Sequence, residues 1–341
     1  MEPKKHKETD DMKNFIHYNA YSIEEAVMLL ARYGKNACVI SGGTDLLGKM
    51  KDRVLPTYPE ALINIKTIPG LNAIEEKTGK LSIGALATLT QVAEHETVRS
   101  NCAALAQAAG RTASPHLRNM GTIAGNICQD IRCWYYRAPK NRFSCLRKGG
   151  GRCYAIKGDN RFHSIFGGSV KGGCVAVHPS DTAPALIALD ADILTSKRTI
   201  KAEEFFNVGV LHTTTVLEDN EIVTAIEVPT QNSATKSAFI KFALRKSIDF
   251  PIVNCAAAIT RDGETVTAAR ICLNAVSVVP KRVKPAEDRL VGETINEKHV
   301  GEAGAAAVSD AEPLEKNAYM VELAKAIVKR TILACGDTEG G

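Results

Sequence analysis

The run Ala37-Cys38-Val39-Ile40 is short, apolar and β-branched, and it leads straight into Ser41-Gly42-Gly43-Thr44-Asp45. A buried strand that ends in two adjacent glycines can turn consecutive backbone N–H groups onto one concave surface. Glycine lets an anion approach the backbone, and the Ser and Thr hydroxyls add donors. The run is neither a dinucleotide G-x-G-x-x-G nor a phosphate loop with its lysine. Alone it also suits a tight turn with no ligand. A second small, glycine-rich run, Gly121 to Asn126, reads as a turn of the same character. Two such turns in adjacent segments suit a diphosphate lying between them.

Around these turns the pattern is mixed α and β. Ser22 and Glu25 predict a capping box before a helix from Glu24 to Tyr33, stopped by Gly34. A second strand follows at Ala61 to Ile65, and Pro69-Gly70 marks a boundary. The next segment opens with a strand ending at Ile83-Gly84. Helices are expected at Thr88 to His95, Asn101 to Ala109 and Thr182 to Leu189, then strands to about Pro229. Gln231 to Thr235 reads as a linker. Beyond it come strands at Phe239 to Leu244, Ile252 to Ile259 and Ala268 to Val279, with a hairpin signal at Asp262-Gly263. Helices near Gly301 to Val308 and Tyr319 to Leu333 end the chain. The expected divisions are 12–68, 69–231 and 234–338.

Composition narrows the function classes. With 43 basic and 38 acidic residues the formal charge is +5, interspersed and mild, which disfavours a dedicated nucleic-acid binder. One basic cluster, Arg137 to Arg152, reads equally as a solvated loop or a docking surface. No run reaches the ~18–20 apolar residues of a membrane helix. The charged N-terminal MEPKKHKETDDMK is followed by no apolar stretch, so no membrane association is expected and the expected compartment is the cytoplasm. His116, His163 and His178 are isolated and read as surface or supporting histidines. No nucleophile–base pair or carboxylate dyad stands out, so no catalytic side chain is assigned and the chemistry is left to cofactors.

Four ordered motifs resemble the FAD subunits of the xanthine dehydrogenase (molybdenum hydroxylase) family. VISGGTDLLGKMK is similar to their first flavin motif, NMGTIAGNI to the second, and His178-Pro179-Ser180-Asp181 to the third. Phe239-x-Lys241-x-x-x-Arg245-x-x-x-Asp249-Phe250-Pro251 is similar to the opening of their C-terminal domain. The resemblance runs from about Asn14 to Leu333. It implies an α+β fold: a two-subdomain FAD-binding unit of the PCMH (vanillyl-alcohol-oxidase) type, plus a C-terminal α+β domain like that of CO dehydrogenase flavoproteins. Carried over by position, it implies that Ile40, Ser41, Gly42, Gly43, Thr44, Asp45 and Leu46 hold the pyrophosphate. Thr112, Ala113, Gly121, Thr122, Gly125 and Asn126 would line the rest of the cofactor. Ser180 and Asp181 would approach the flavin or its phosphates, and Val223 and Lys241 would lie near the isoalloxazine. It further implies a large molybdopterin-binding subunit, a small [2Fe–2S] subunit, and an electron carrier such as ferredoxin or NAD. Those partners would name the substrate.

Ten cysteines in a chain without an export signal do not suggest a disulfide scaffold. Cys38, Cys102, Cys255, Cys272 and Cys335 are scattered in apolar contexts, as small buried hydrophobes are. The other five crowd as Cys128-x4-Cys133-x11-Cys145-x7-Cys153-x20-Cys174, and the stretch from Cys128 to Gly173 shows no sustained periodicity, order resuming at Cys174 to Val177. Free thiols, a zinc site and an iron–sulfur site compete as explanations. Zinc usually brings a C-x2-C pair, which is absent here. A cluster would need four thiolates and would also explain how so polar a stretch stays ordered. A minority of the resembling family carries a [4Fe–4S] insert here, as in 4-hydroxybenzoyl-CoA reductase flavin subunits and certain bacterial aldehyde oxidoreductases. Arg132-Cys133-Trp134-Tyr135-Tyr136 is similar to the start of that insert. By this resemblance Cys133, Cys145, Cys153 and Cys174 are the ligands, with Trp134 and the tyrosines as shielding and Cys128 packed elsewhere. The implied function is a flavin and iron–sulfur electron relay subunit. A free-standing flavin oxidoreductase and a zinc-stabilised binding scaffold are the alternatives.

Overall fold

The computed structural model describes residues 12–168, 173–207 and 214–336. Residues 1–11 of the charged N-terminus and the last two positions of the expected third division, 337 and 338, lie outside them.

The first layer is a small parallel sheet. Strands β1 (Ile16–Asn19), β2 (Ala37–Ile40) and β3 (Ala61–Asn64) are ordered β1-β3-β2. Parallel neighbours require crossovers, supplied by α1 (Ile23–Tyr33) and α2 (Leu46–Lys51). Helix α1 buries Ala26, Leu29 and Leu30 against Ile63 and Ile65. Ser22 Oγ accepts from the Glu25 N–H at 3.1 Å, but the Glu25 carboxylate takes the N–H of Tyr21, not that of Ser22. The expected box is therefore closed one residue early. Gly34 ends the helix with φ of 52°.

The second layer is a five-stranded antiparallel sheet made of β4 (Ile74–Lys77), β5 (Lys80–Gly84), β6 (Asp192–Thr195), β7 (Thr199–Lys201) and β8 (Val223–Pro229), in the order β4-β5-β8-β6-β7. Between β5 and β6 the chain forms α3 (Leu89–Glu94), α4 (Glu96–Asn101), α5 (Ala103–Gly110), α6 (Pro115–Met120), α7 (Ile123–Ile127) and α8 (Thr182–Ala188). Helix α9 (Ala202–Phe205) follows β7. Thr88 and Gln91 form the full reciprocal capping box at α3. Gly121 to Asn126 is not a second turn: Thr122 caps the short helix α7, its Oγ1 accepting from Gly125 N–H at 3.1 Å.

The third layer is the antiparallel sheet β9 (Thr235–Phe242), β10 (Val253–Asp262), β11 (Thr265–Asn274) and β12 (Lys281–Arg282), ordered β12-β11-β10-β9. The Asp262-Gly263 hairpin forms where the sequence places it, with Gly263 at φ 56°. On one face Cys255, Ala257, Ile259, Ile271 and Leu273 pack with α10 (Lys284–Leu290), α11 (Glu297–Ala306) and α12 (Tyr319–Gly336). On the other, Phe239, Ala256, Ala258 and Cys272 enter the core that holds α5 and α8. Successive strand residues point to opposite faces, so a strand covered on both sides must be apolar throughout. That explains the apolar run Cys255 to Ile259, with Asn254 before it buried on the Asp181 carboxylate.

The seam between the second and third layers carries a buried ion pair. Lys241 Nζ on β9 donates to Asp181 Oδ2 at 2.7 Å, Asn254 Nδ2 on β10 donates to Asp181 Oδ1 at 2.7 Å, and Asn274 Nδ2 on β11 donates to the Ser180 carbonyl at 2.6 Å. Burial pushes the Asp181 carboxyl above its ordinary value, opposed by Lys241, Asn254 and Thr112.

Segment 128–177 runs from α7 back to α8 with only two short 3-10 turns among its described residues. Apolar contacts and hydrogen bonds hold it in place. Ile131, Tyr136, Cys145, Cys174 and Ala176 form a small core with Val278. Hydrogen bonds tie it to the third layer, from Asn317 Nδ2 to the carbonyls of His163 and Ser164 and from Ile165 N–H to the Val276 carbonyl. The Lys140 N–H reaches the Asp52 carbonyl after α2.

Removing one partner of the seam pair strands the other charge in the interior, at a cost of about 3–5 kcal/mol. Lys241→Met should lower the denaturant midpoint strongly in chemical unfolding. Combined with Asp181→Asn it should recover a measurable part of the loss, because the uncompensated carboxylate is gone.

Candidate functional site

Residues Ile40 to Leu46, Thr112, Ala113, Gly121, Thr122, Gly125 and Asn126 all line one cavity of about 330 Å³. Its remaining wall includes Cys38, Lys49, Leu89, Leu117, Cys128 and Phe250. Thirteen positions assigned from the motifs thus meet at one site. Four do not line it. Val223 is buried in the core of the second layer. Ser180, Asp181 and Lys241 sit behind the cavity wall in the seam between layers. Lys241 is on an edge strand, but its side chain is buried with Asp181, so it is no ordinary edge lysine.

The loop after β2 supplies the donors. Among the described residues, no backbone or side-chain acceptor takes the N–H groups of Gly42, Gly43, Thr44 or Asp45. Gly43 has φ of 70°, a left-handed conformation that turns the loop back. Consecutive free N–H groups on a cavity wall make an anion cradle. The second motif contributes differently. The N–H groups of Gly121, Ile123, Ala124, Gly125 and Asn126 are all consumed internally. The Ser41 and Thr122 hydroxyls bond each other at 3.0 Å and clamp the two motifs together.

Gly42 is required by packing rather than by a ligand. A Cβ there would lie 2.1 Å from the Met120 carbonyl oxygen and 2.9 Å from Gly121 Cα. Asn126 connects this wall to the seam: its Oδ1 accepts from Ser180 Oγ and from Thr182 Oγ1, both at 2.6 Å. Ser180 therefore acts on the cavity through Asn126.

A second, smaller cavity lies in the cysteine segment. Cys133, Cys145, Cys153 and Cys174 line it together with Tyr135, Tyr136 and Tyr154, and the void between them is about 10 Å³. Cys128 is not packed away as expected. It is exposed and lines the larger cavity. Trp134 does not shield the small cavity; it is 47% exposed and leans on Phe162, while Tyr135, Tyr136 and Tyr154 form the aromatic wall and Phe143 packs edge-on against Tyr135 and Tyr154. Among the described residues, no group of three His, Cys, Asp or Glu side chains is placed to hold a single metal ion. Burial pushes the Cys133 thiol to about 12 and the Cys174 thiol to about 11.

Polar groups around this cavity face inward. His163 Nε2 lies 3.2 Å from Cys133 Sγ, and burial lowers the imidazole to about 4, which keeps it neutral. Lys148 Nζ is buried without a hydrogen-bond acceptor among the described residues, close to Cys145 and Cys133, and burial lowers its pKa from the ordinary lysine value. The basic stretch read as a solvated loop or docking surface is thus partly inverted. Arg147 and Lys148 are buried, and Arg137 bonds Asp45. His178 is likewise not a surface residue. It is fully buried against Phe206, among the described residues neither ring nitrogen has a hydrogen-bond partner, and burial holds it at about 3.

Asp130 joins the two cavities and carried no signal in the sequence. Its Oδ2 accepts from Tyr136 Oη at 2.5 Å and Lys49 Nζ at 3.2 Å. Burial alone would raise this carboxyl. Lys49, Arg147, Arg137 and the Tyr136 hydroxyl more than offset it and hold the group at about 2.

The fold and cavity together define a protein that grips an extended, phosphate-bearing cofactor between two mixed α and β subdomains, with a third domain closed over them. Residues 13–231 match the family described as FAD binding domain in molybdopterin dehydrogenase, and residues 238–335 match the CO dehydrogenase flavoprotein C-terminal domain. The chain belongs to this family of FAD-binding subunits of molybdenum hydroxylases. It is 34% identical to the aldehyde oxidoreductase FAD-binding subunit PaoB of Escherichia coli (strain K12), over 92% of this chain and 96% of that one. It is 30% identical to the carbon monoxide dehydrogenase medium chain of Hydrogenophaga pseudoflava, over 94% and 96%. A solved structure of carbon monoxide dehydrogenase from Hydrogenophaga pseudoflava superposes with a TM-score of 0.75 at 28% identity, covering 95% of this chain and 98% of that one. The mixed architecture expected from the sequence is the one found. Among the described residues no helix is long and apolar enough to cross a membrane.

Two outcomes follow. Gly42→Ala should force the first loop off Met120, costing about 1–3 kcal/mol and weakening FAD binding, as read by thermal unfolding and flavin fluorescence titration. The Asp130 carboxylate, depressed to about 2 from 3.8, contributes stability that is complete above about pH 4 and lost as pH falls through 2. That contribution is about 2 kcal/mol. Stability measured against pH should show this acid limb, and Asp130→Asn should flatten it.

Proposed function

We propose that this chain carries two redox centres, FAD in the loop cradle and a [4Fe–4S] cluster on Cys133, Cys145, Cys153 and Cys174. In this reading it relays electrons between molybdopterin and [2Fe–2S] partner subunits and an external carrier such as ferredoxin or NAD. The observation that carries the reading is convergence. Four cysteines scattered from 133 to 174 line one cavity, while Cys128, from the same crowd, lines the other.

The residues at the small cavity fit a cluster. A four-iron centre takes four thiolates and has no need of several on one ion. Four thiolates would bring negative charge into a buried place. Lys148 offers an ammonium with no other acceptor, and His163 a ring nitrogen beside Cys133. The buried thiols must release their protons on loading, and these cationic and polar neighbours favour that.

When bound, FAD exchanges electrons singly or in pairs and the cluster one at a time. This chain's own groups position and insulate. The N–H groups of Gly42 to Asp45 would hold the pyrophosphate, and Tyr135, Tyr136 and Tyr154 would keep water from the cysteines. In this reading substrate turnover belongs to a partner subunit. The relatives' designations as medium chain and FAD-binding subunit support that setting.

The test is metal and flavin analysis of the purified full chain. A yellow-brown protein with FAD and about four irons per chain is expected. Cys145→Ser should lose iron, keep FAD and fall to background turnover with the physiological carrier in the assembled complex. Cys128→Ser should keep its iron. Zinc in place of iron, or full turnover by Cys145→Ser, would refute the relay.

A further inference from the structure

We propose that Asp130 makes occupancy of the two cavities interdependent, so that FAD binds more tightly when the cysteine cavity is loaded. This rests on the two-centre reading above and adds the coupling between the centres.

The geometry is a closed ring of bonds with one side in each cavity. On the FAD side, Asp45 and Lys49 line the larger cavity. Asp45 Oδ2 accepts from the Asp130 N–H at 3.0 Å, and Lys49 Nζ donates to Asp130 Oδ2 at 3.2 Å. On the cysteine side, Tyr136 and Arg147 line the smaller cavity. Tyr136 follows Cys133 by one turn and donates its hydroxyl to Asp130 at 2.5 Å, and Arg147 lies 3.9 Å from Asp130 just after Cys145. Arg137 closes the ring. Its Nη1 donates to Asp45 Oδ1 and its Nη2 to the Asp130 carbonyl, both at 2.6 Å, while its own N–H bonds the Cys133 carbonyl.

Both ends of the ring are therefore tied to ligand-bearing backbone. Asp45 is part of the loop whose N–H groups form the cradle. The Cys133 carbonyl is part of the segment that must present a thiolate. Ordering either end orders Asp130, and a second ligand that meets an already ordered partner binds at lower entropic cost. The buried carboxylate cannot be left without its cations, so the ring responds as a unit. Reciprocity then requires FAD to tighten metal retention by the same factor.

The experiment measures FAD affinity of the full chain by flavin fluorescence, iron-loaded and after chelation, with circular dichroism confirming that both forms are folded. Loaded protein should bind FAD at least roughly fivefold more tightly, and chelator-driven iron release should slow when FAD is present. Tyr136→Phe removes one hydroxyl from the ring and should shrink that ratio, with the variant's own chelated form as the reference. A protein that holds both FAD and iron but binds FAD equally with and without iron overturns the coupling alone. A protein that takes up no iron overturns the cluster reading and the coupling with it. An unchanged ratio in Tyr136→Phe removes Asp130 from the path.

Discussion

From Val253 to Ile259 strand β10 has no solvent face, and much of the molecule follows from that. Each fully buried aliphatic side chain contributes about 1.5–3 kcal/mol, and β10 and β11 present such residues on both sides of the sheet. A buried ion pair, by contrast, roughly breaks even against its desolvation. Apolar burial therefore holds the third layer against α5 and α8. The Asp181–Lys241 pair with Asn254 sets the register of that contact, since a one-residue slip would exchange the two faces of the sheet. Held there, the third layer brings Phe250 to the cavity wall and receives the cysteine segment through Asn317 and Val276.

The cysteine segment is organised by charge as much as by apolar contact. Three of its basic residues, Arg137, Arg147 and Lys148, turn inward toward Asp45, Asp130 and the thiols. Isolated buried cations would be costly, so each position makes sense only with a carboxylate, a ring or an anionic ligand nearby. Arg137 has Asp45, Arg147 approaches Asp130 and the Tyr136 ring, and Lys148 faces Tyr136 and the cysteines. The same arrangement ties the cofactor loop to the thiol cavity, which makes the two sites parts of one structure.

Much of this was legible in the sequence where the signal is local. The helix capped by Ser22, the turn after Ile40, the hairpin at Gly263 and the two-sided run of β10 are each set by backbone conformation or by periodicity within a few residues. The motif resemblance located thirteen residues of the cavity and separated Cys128 from the other four cysteines. It did not reveal that Ser180, Asp181 and Lys241 stand behind the wall, or that Trp134 faces outward. Those depend on side-chain direction after packing.

The sequence by itself determined where strands end in glycine and which cysteines crowd together. Such features are encoded by residue type and spacing along the chain. Only the tertiary structure decided which backbone donors remain free. Gly42 and Met120 meet because the first two layers close on each other, and Ser41 and Thr122, separated by 81 positions, spend their hydroxyls on one another. Whether a polar group is left for a ligand depends on what packs against it, and that partner comes from a distant part of the chain. The free N–H groups after β2, the buried Lys148 and the position of Asp130 between two cavities all have this origin.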